Sequence, residues 1–211
     1  MSQAIVSRWR CRTSARLLAA VVLVCGPLGA CAASRSPASK SAIPRALREQ
    51  ARPIGRGVRF HPPTTGRTVG RCTRTLGPRS SVHVEVFAAN RVVILPAGIG
   101  VRSPAISTAG RVSHARCYGA LVTLEPTGVV LVRRGLRLRV ADLFKAWGQP
   151  LSSRRVASFS ASGNGTPSVF VDGKRRQGAP GGMALTPGAE IVIEVGPHVP
   201  PHSSYTFPPG P

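Results

Sequence analysis

Only a few side chains of this 211-residue chain could ligate a metal or transfer a proton: five histidines and seven acidic residues, against 29 lysines and arginines. His83 lies in a segment of alternating apolar residues, where a histidine is more often part of a half-exposed strand than of a metal site. His198 and His202 lie four residues apart, but in a Pro-rich tail, so this spacing does not bring them to one helix face. The histidines alone predict only weak, adventitious metal binding.

The acidic residues do not suggest a catalytic pair. Asp142 is explained as a helix-start residue and Asp172 as a turn residue. Glu190 and Glu194 share one face of the last predicted strand, about 13 Å apart at roughly 3.3 Å per residue, which is too far for a working carboxylate pair. No Gly-x-Ser-x-Gly sequence surrounds a serine. The sequence predicts a protein that is not an enzyme and holds no cofactor.

The start of the chain has the pattern of an export signal. Four arginines between positions 8 and 16 precede the apolar segment 17–24, and small residues follow. This apolar stretch is shorter than the roughly 20 residues that a spanning helix needs. The residues at 28–31, Leu-Gly-Ala-Cys, resemble the lipidation site of bacterial lipoproteins, which implies that Cys31 is lipidated and begins the mature chain. A plain cleaved signal and an uncleaved anchor are the alternatives, and we expect a lipid anchor on the extracytoplasmic face of the cell membrane.

The remaining cysteines favour a disulfide. Cys11 and Cys25 leave with the predicted signal peptide and Cys31 would carry the lipid, which leaves Cys72 and Cys117. An even number of cysteines in an oxidising compartment favours a bridge between them. Two separate thiols are the alternative.

The chain is strongly basic, with a formal net charge of +22 that comes mostly from arginines. The arginines are spread along the chain with few aromatic residues between them, and no aromatic RNA-binding pattern or Cys/His finger accompanies them. We therefore expect a solvated basic surface without specific nucleic-acid binding. Such a surface could contact a polyanion of the cell envelope, and a protein partner there is the other expectation.

Composition divides the chain into four segments. Residues 1–30 form the predicted signal peptide, and residues 31–80, rich in Pro, Ser and Arg, are predicted to be a disordered tether. Residues 81–196 carry the periodicity of a globular domain, and residues 197–211 form a Pro-rich, extended tail. The aromatic residues of this tail either pack back on the domain or bind a partner.

Within the domain, the patterns predict mostly strands and one main helix. The helix starts near Asp142 and ends at Gly148, a weaker helical segment covers residues 152–159, and residues 102–116 read as a polar loop. The predicted strands cover residues 82–87, 91–95, 99–101, 119–124, 129–132, 136–140, 168–171, 174–176 and 191–195.

From Val129 onward, the order strand, strand, helix, strand, turn, strand resembles a β-grasp domain, in which two hairpins form a mixed sheet with one helix packed across it. The resemblance implies an α+β, β-rich fold with a β-grasp-like mixed sheet and one main helix. Residues Val82 to Leu95 would add a further β-hairpin at the N-terminal side of this domain.

The region from Val82 to Gly196 also resembles a family of exported, functionally uncharacterised prokaryotic proteins. The matching segments are Val-Glu-Val-Phe at 84–87, Leu-Pro-Ala-Gly-Ile-Gly-Val at 95–101, Thr-Gly-Val-Val at 127–130, Asp-Leu-Phe-Lys-Ala-Trp-Gly at 142–148 and Val-Phe-Val-Asp-Gly-Lys at 169–174.

The same resemblance implies a histidine site that this chain has largely lost. Many members carry alternating histidines before the first strand, a His-Thr-His-Asp motif and a further histidine on the next strand. The corresponding positions here are Arg79, Ser81 and His83, then Val122, Thr123, Leu124 and Glu125, and then Leu131. Only His83 and Glu125 remain as metal candidates, fewer than the three or four ligands of a tight site.

The leading hypothesis is therefore a membrane-anchored, extracytoplasmic lipoprotein with a non-catalytic binding or scaffolding domain. The alternative is a copper- or zinc-binding protein that uses His83 and Glu125, with the tail histidines as further candidates.

Overall fold

The computed structural model describes residues 52–163, 165–197 and 200–208, which belong to one compact unit. The predicted signal peptide, Cys31 and the first part of the predicted tether lie outside the described residues, as does His198. In the described ranges, no helix is long and apolar enough to cross a membrane.

The described part of the chain forms eleven strands, one α-helix and a short 3-10 turn at Pro180–Gly182. In chain order the elements are β1 (Arg79–Ala88), β2 (Arg91–Val93), β3 (Val101–Thr108), β4 (Arg111–Tyr118), β5 (Leu121–Val122), β6 (Val129–Arg133), α1 (Val140–Trp147), β7 (Arg155–Val156), β8 (Phe159–Ser160), β9 (Ser168–Val171), β10 (Lys174–Arg176) and β11 (Glu190–Val195).

Seven strands form one mixed sheet in the order β10-β9-β11-β1-β6-β5, with β2 paired to the end of β1. β1 is parallel to β11 on one side and antiparallel to β6 on the other. α1 packs across this sheet, and its buried Leu143, Phe144 and Trp147 belong to the same core cluster as the valines of β1. The predicted α+β, β-rich class with a mixed sheet and one main helix is confirmed.

The strands that form the two hairpins differ from the prediction. β1 pairs with β6, so residues 89–128 are inserted between the two strands of the first hairpin. The segment 82–95 forms the predicted hairpin, since β1 pairs with β2 across a two-residue turn at Ala89 and Asn90. β1 is also the centre of the main sheet, and β2 has only three residues. Residues 136–139 do not form the predicted strand, since they lead directly into the helix that begins at Val140.

β1 lies between β11 and β6 in the interior of the sheet, and both of its faces are buried. Val82, Val84 and Val86 are at most 1% exposed and lie in the core that α1 covers. On the opposite face, Phe87 packs with Phe170 of β9. Burial on both faces is typical of a strand with a parallel neighbour in the interior of a sheet.

Two hairpins replace a predicted polar loop and a predicted helical segment. β3 and β4 pair with register shifts at two irregular positions, so the buried residues of β4, Val112, Ala115 and Tyr118, are spaced by three and the period of two is lost. β7 and β8 form a short hairpin in which Ala157 has a positive φ, where residues 152–159 predict a helix.

Residues 52–78, predicted to belong to a disordered tether, pack against the domain instead. Cys72 forms the expected disulfide with Cys117, and the indole N–H of Trp147 donates a hydrogen bond to the carbonyl oxygen of Pro62 at 3.3 Å. The segment shows no hydrophobic period because single contacts hold it against the domain, rather than one continuous apolar face.

Candidate functional site

Histidine and carboxylate side chains meet on the sheet face that points away from α1, here called the outer face. Side chains alternate along a strand, so the valines of β1 face the helix while His83 and Glu85 lie on the outer face. The parallel register places Glu190 of β11 beside His83. Because neighbouring strands lie about 4.8 Å apart, this pairing brings the two side chains within hydrogen-bonding reach.

His83 and Glu190 form a buried, hydrogen-bonded pair. Nδ1 of His83 lies 2.6 Å from Oε2 of Glu190, and Nε2 lies 2.8 Å from the carbonyl oxygen of Thr127. The two side chains are only 5% and 1% exposed. A carbonyl oxygen can only accept a hydrogen bond, so Nε2 carries a proton. One further proton is therefore shared between Nδ1 and the carboxylate.

Burial dominates the electrostatics of Glu190. Removal of the carboxylate from water raises its pKa, and the hydrogen bond and charge of His83 oppose this shift without cancelling it. The second carboxyl oxygen, Oε1, is buried and has no hydrogen-bond partner among the described residues. The pair is therefore a proton-sharing unit with one buried oxygen left unsatisfied by the protein.

Residues 200–208, here called the C-terminal strap, cover this pair. Nδ1 of His202 lies 2.7 Å from Oε2 of Glu85, which gives a second His–Glu contact beside the first. The ring of Tyr205 stacks on His83, with centroids 3.6 Å apart and planes inclined by 10°. The aromatic residues of the tail thus pack back on the domain.

Two more contacts hold the strap. The ring of Phe207 meets Tyr205 edge-on at a centroid distance of 5.0 Å. Gly173 permits a close approach, since a Cβ at this position would lie 2.8 Å from Cβ of Ser203. Burial, and then the charge of Glu190, raise the pKa of the Tyr205 hydroxyl, so the strap presents a neutral phenol ring to the buried pair.

His83, Glu85 and Glu190 form the group of described residues that could hold a metal ion, because their ligand atoms lie within 4.8 Å of one another. Imidazole and carboxylate ligands suit zinc and copper. An ion bound at about 2.0–2.2 Å to both Nδ1 and Oε2 would hold these atoms roughly 3.3 Å apart, against 2.6 Å in the structure. A metal would therefore replace the shared proton and widen the pair.

Glu125, the carboxylate that the sequence predicts beside His83, is not in this group. It pairs with Arg111 of β4 at the surface. The sequence reasoning missed Glu190 because it measured this residue only against Glu194 on the same strand. Strand parity puts Glu190 opposite His83 only once the parallel pairing of β1 with β11 is known, and no local pattern indicates that pairing.

Arg79 holds the inserted segment to the sheet. Its guanidinium donates hydrogen bonds to four carbonyl oxygens at 2.7–3.2 Å. Burial, together with the charge of Arg133, lowers the pKa of Arg79 to about 10. The accepting carbonyls belong to Leu76, Gly119, Ala120 and Leu131.

No family model, curated protein or solved structure matches this chain. Its function is therefore inferred from its own residues and their contacts.

We expect Glu190→Ala to lower the free energy of unfolding by about 1–3 kcal/mol, because the buried Nδ1 of His83 loses its partner.

Glu190→Gln keeps the shape but cannot ionise. The folded pKa of Glu190 is raised, so the stability that this carboxyl contributes is full below its unfolded pKa and declines as pH rises through the folded pKa. The Gln variant lacks this decline, so its stability relative to wild type should rise as the pH increases above 4.5, the ordinary pKa of a glutamate.

Denaturant unfolding across this pH range measures the effect, with Glu125→Gln at the surface as the control. Unfolding free energies of wild type and Glu190→Gln that stay parallel over the whole range would contradict the assignment.

Proposed function

We propose that this chain is an exported lipoprotein whose β-rich domain serves as a non-catalytic binding or scaffolding module on the extracytoplasmic face of the cell membrane. The observation that carries the proposal is the Cys72–Cys117 disulfide, because such bridges persist in oxidising compartments outside the cytoplasm. It agrees with the arginine-rich, apolar start of the chain that ends at Cys31.

The closed state of the His83–Glu190 pair supports binding rather than catalysis. Both side chains are buried, and Tyr205 stacks on the imidazole. Nε2 of His83 donates a hydrogen bond to the carbonyl oxygen of Thr127. A substrate would reach Nδ1 only after the strap had moved and the hydrogen bond to Glu190 had broken. The pair is arranged as a structural element of the sheet.

The apolar packing under the β3–β4 hairpin supports the loss of an ancestral histidine site. Val122, Leu124 and Leu131 stand where the resembling family carries histidines, and all three lie in one buried cluster with Ala115 and Tyr118 of β4. These side chains are at most 8% exposed. Buried apolar area stabilises the folded chain, so these positions now hold the hairpin on the sheet.

Metabolic labelling with a radioactive fatty acid tests the proposed anchor. We expect the full chain, expressed in a bacterial host, to incorporate label and to sediment with membranes, and Cys31→Ser to lose both properties because the thiol that would carry the lipid is gone. Cys25→Ser is the matched control and should keep the label. Equal labelling of wild type and Cys31→Ser would contradict the proposal.

A second candidate function is binding of a divalent transition metal by His83, Glu85 and Glu190. The proximity of their ligand atoms favours it, as does the buried Oε1 of Glu190, which lacks a hydrogen-bond partner among the described residues. His202 already touches Glu85 and could complete a four-ligand set. The cost is the loss of the shared proton and a shift of the strap.

Equilibrium dialysis of the full chain against Zn²⁺ and Cu²⁺ tests this candidate. It predicts one ion per chain with submicromolar affinity, and loss of that binding in His83→Ala and in Glu190→Gln because each removes a ligand. Glu125→Gln and His114→Ala lie outside the ligand group and should leave binding unchanged. Weak binding that survives in His83→Ala would exclude this function.

A further inference from the structure

An open groove of about 830 Å³ runs between residues 64–68 and the β3–β4 hairpin. We call it the basic groove. Two guanidinium groups, of Arg67 and Arg102, line it together with the hydroxyl groups of Thr64, Thr68, Ser103 and Ser107. Neither an acidic nor an aromatic side chain of the described residues contributes to its lining. The volume falls within the roughly 300–1,000 Å³ that is usual for ligand sites.

The first wall of the basic groove is fixed to the end of α1. The backbone N–H groups of Thr65 and Gly66 both donate to the carbonyl oxygen of Trp147, at 3.0 and 3.2 Å. Gly66 lies so close to the helix that a Cβ would come within 2.3 Å of the carbonyl oxygen of Ala146. This contact requires glycine and holds the neighbouring Arg67 in place along the groove.

The second wall is the β3–β4 hairpin, which is tied down at its base. The disulfide joins Cys117 of β4 to Cys72, and the N–H of Gly98, just before β3, donates to the carbonyl oxygen of Thr123 at 2.8 Å. Both walls are therefore attached to the domain without a ligand, which lowers the entropic cost of binding one.

Arg67 and Arg102 differ from the arginines that hold the fold together. Arg79 donates to four carbonyl oxygens and Arg111 pairs with a carboxylate. Among the described residues, the guanidinium groups of Arg67 and Arg102 have no hydrogen-bond or ion-pair partner. A guanidinium with free donors binds carboxylate or sulfate oxygens through two parallel hydrogen bonds.

We infer that the basic groove binds an acidic polysaccharide. The two guanidinium groups contact its anionic groups, and the threonine and serine hydroxyls exchange hydrogen bonds with its sugar hydroxyls. Single-stranded nucleic acid fits less well, because its sequence-independent binding uses aromatic side chains for stacking and the groove has none. The inference rests on the proposed extracytoplasmic binding function and names the ligand class for it.

The test is titration of the full chain with heparin oligosaccharide at about 0.15 M salt, with neutral dextran as the uncharged probe. Arg67→Gln/Arg102→Gln is compared with Arg175→Gln/Arg176→Gln, which removes the same charge from exposed positions on β10. We expect the first pair to weaken heparin binding about tenfold or more, since two charge-assisted contacts are lost. The β10 pair should change affinity by no more than about twofold, and dextran should not bind.

Three results would overturn the inference: no heparin binding by the wild-type chain, equal weakening by both double variants, or oligodeoxythymidine that binds as tightly as heparin and is weakened by the groove variants in the same way. Arg67→Lys/Arg102→Lys keeps the charge but loses the paired donors, so it should give an intermediate affinity and guards against a folding defect. Failure of this test leaves the Cys31 labelling result untouched, and failure of the labelling leaves this binding result untouched.

Discussion

The structure depends on the pairing of His83 with Glu190 across the parallel β1–β11 pair. These strands lie at the centre of the sheet, where both faces must be covered. On the helix face the cover is apolar. On the outer face an imidazole and a carboxylate share a proton, and the carbonyl of Thr127 satisfies the remaining ring nitrogen. Loss of one partner of such a buried pair strongly destabilises the folded chain. The strap keeps water away from the pair and is therefore part of the fold.

The outer face is divided between two kinds of cover. Over β5 and β6 the β3–β4 hairpin packs apolar side chains on Val122 and Leu131, and the Cys72–Cys117 bridge fixes the hairpin's base. Over β1 and β11 the C-terminal strap supplies Tyr205 and a second His–Glu contact. The same hairpin also forms one wall of the basic groove.

Local features of the fold could be predicted from the sequence, whereas long-range ones could not. The strand at 168–171 and its turn agree with the structure, because Asp172 and Gly173 adopt the positive φ values that an Asp-Gly hairpin turn requires. The alternation in β1 is equally local. The strand partners of β1 are set by long-range contacts, and nothing in the pattern near residue 83 indicates that Glu190 lies beside it. Bulges hide the period of two in β4, and single contacts rather than an apolar face hold residues 52–78. The sequence of either segment therefore shows no hydrophobic periodicity.

The central claim is that a closed His83–Glu190 pair under Tyr205 organises the outer face, and the protonation pattern of His83 tests it most directly. Long-range ¹H–¹⁵N correlation spectra of the full chain, assigned with His83→Gln, report which ring nitrogen carries a proton. The account predicts a protonated Nε2 whose hydrogen exchanges slowly with water, and a loss of the ring-current shift of His83 in Tyr205→Ala. An Nδ1-only tautomer, or an Nε2 proton that exchanges as fast as that of the exposed His114, would contradict it.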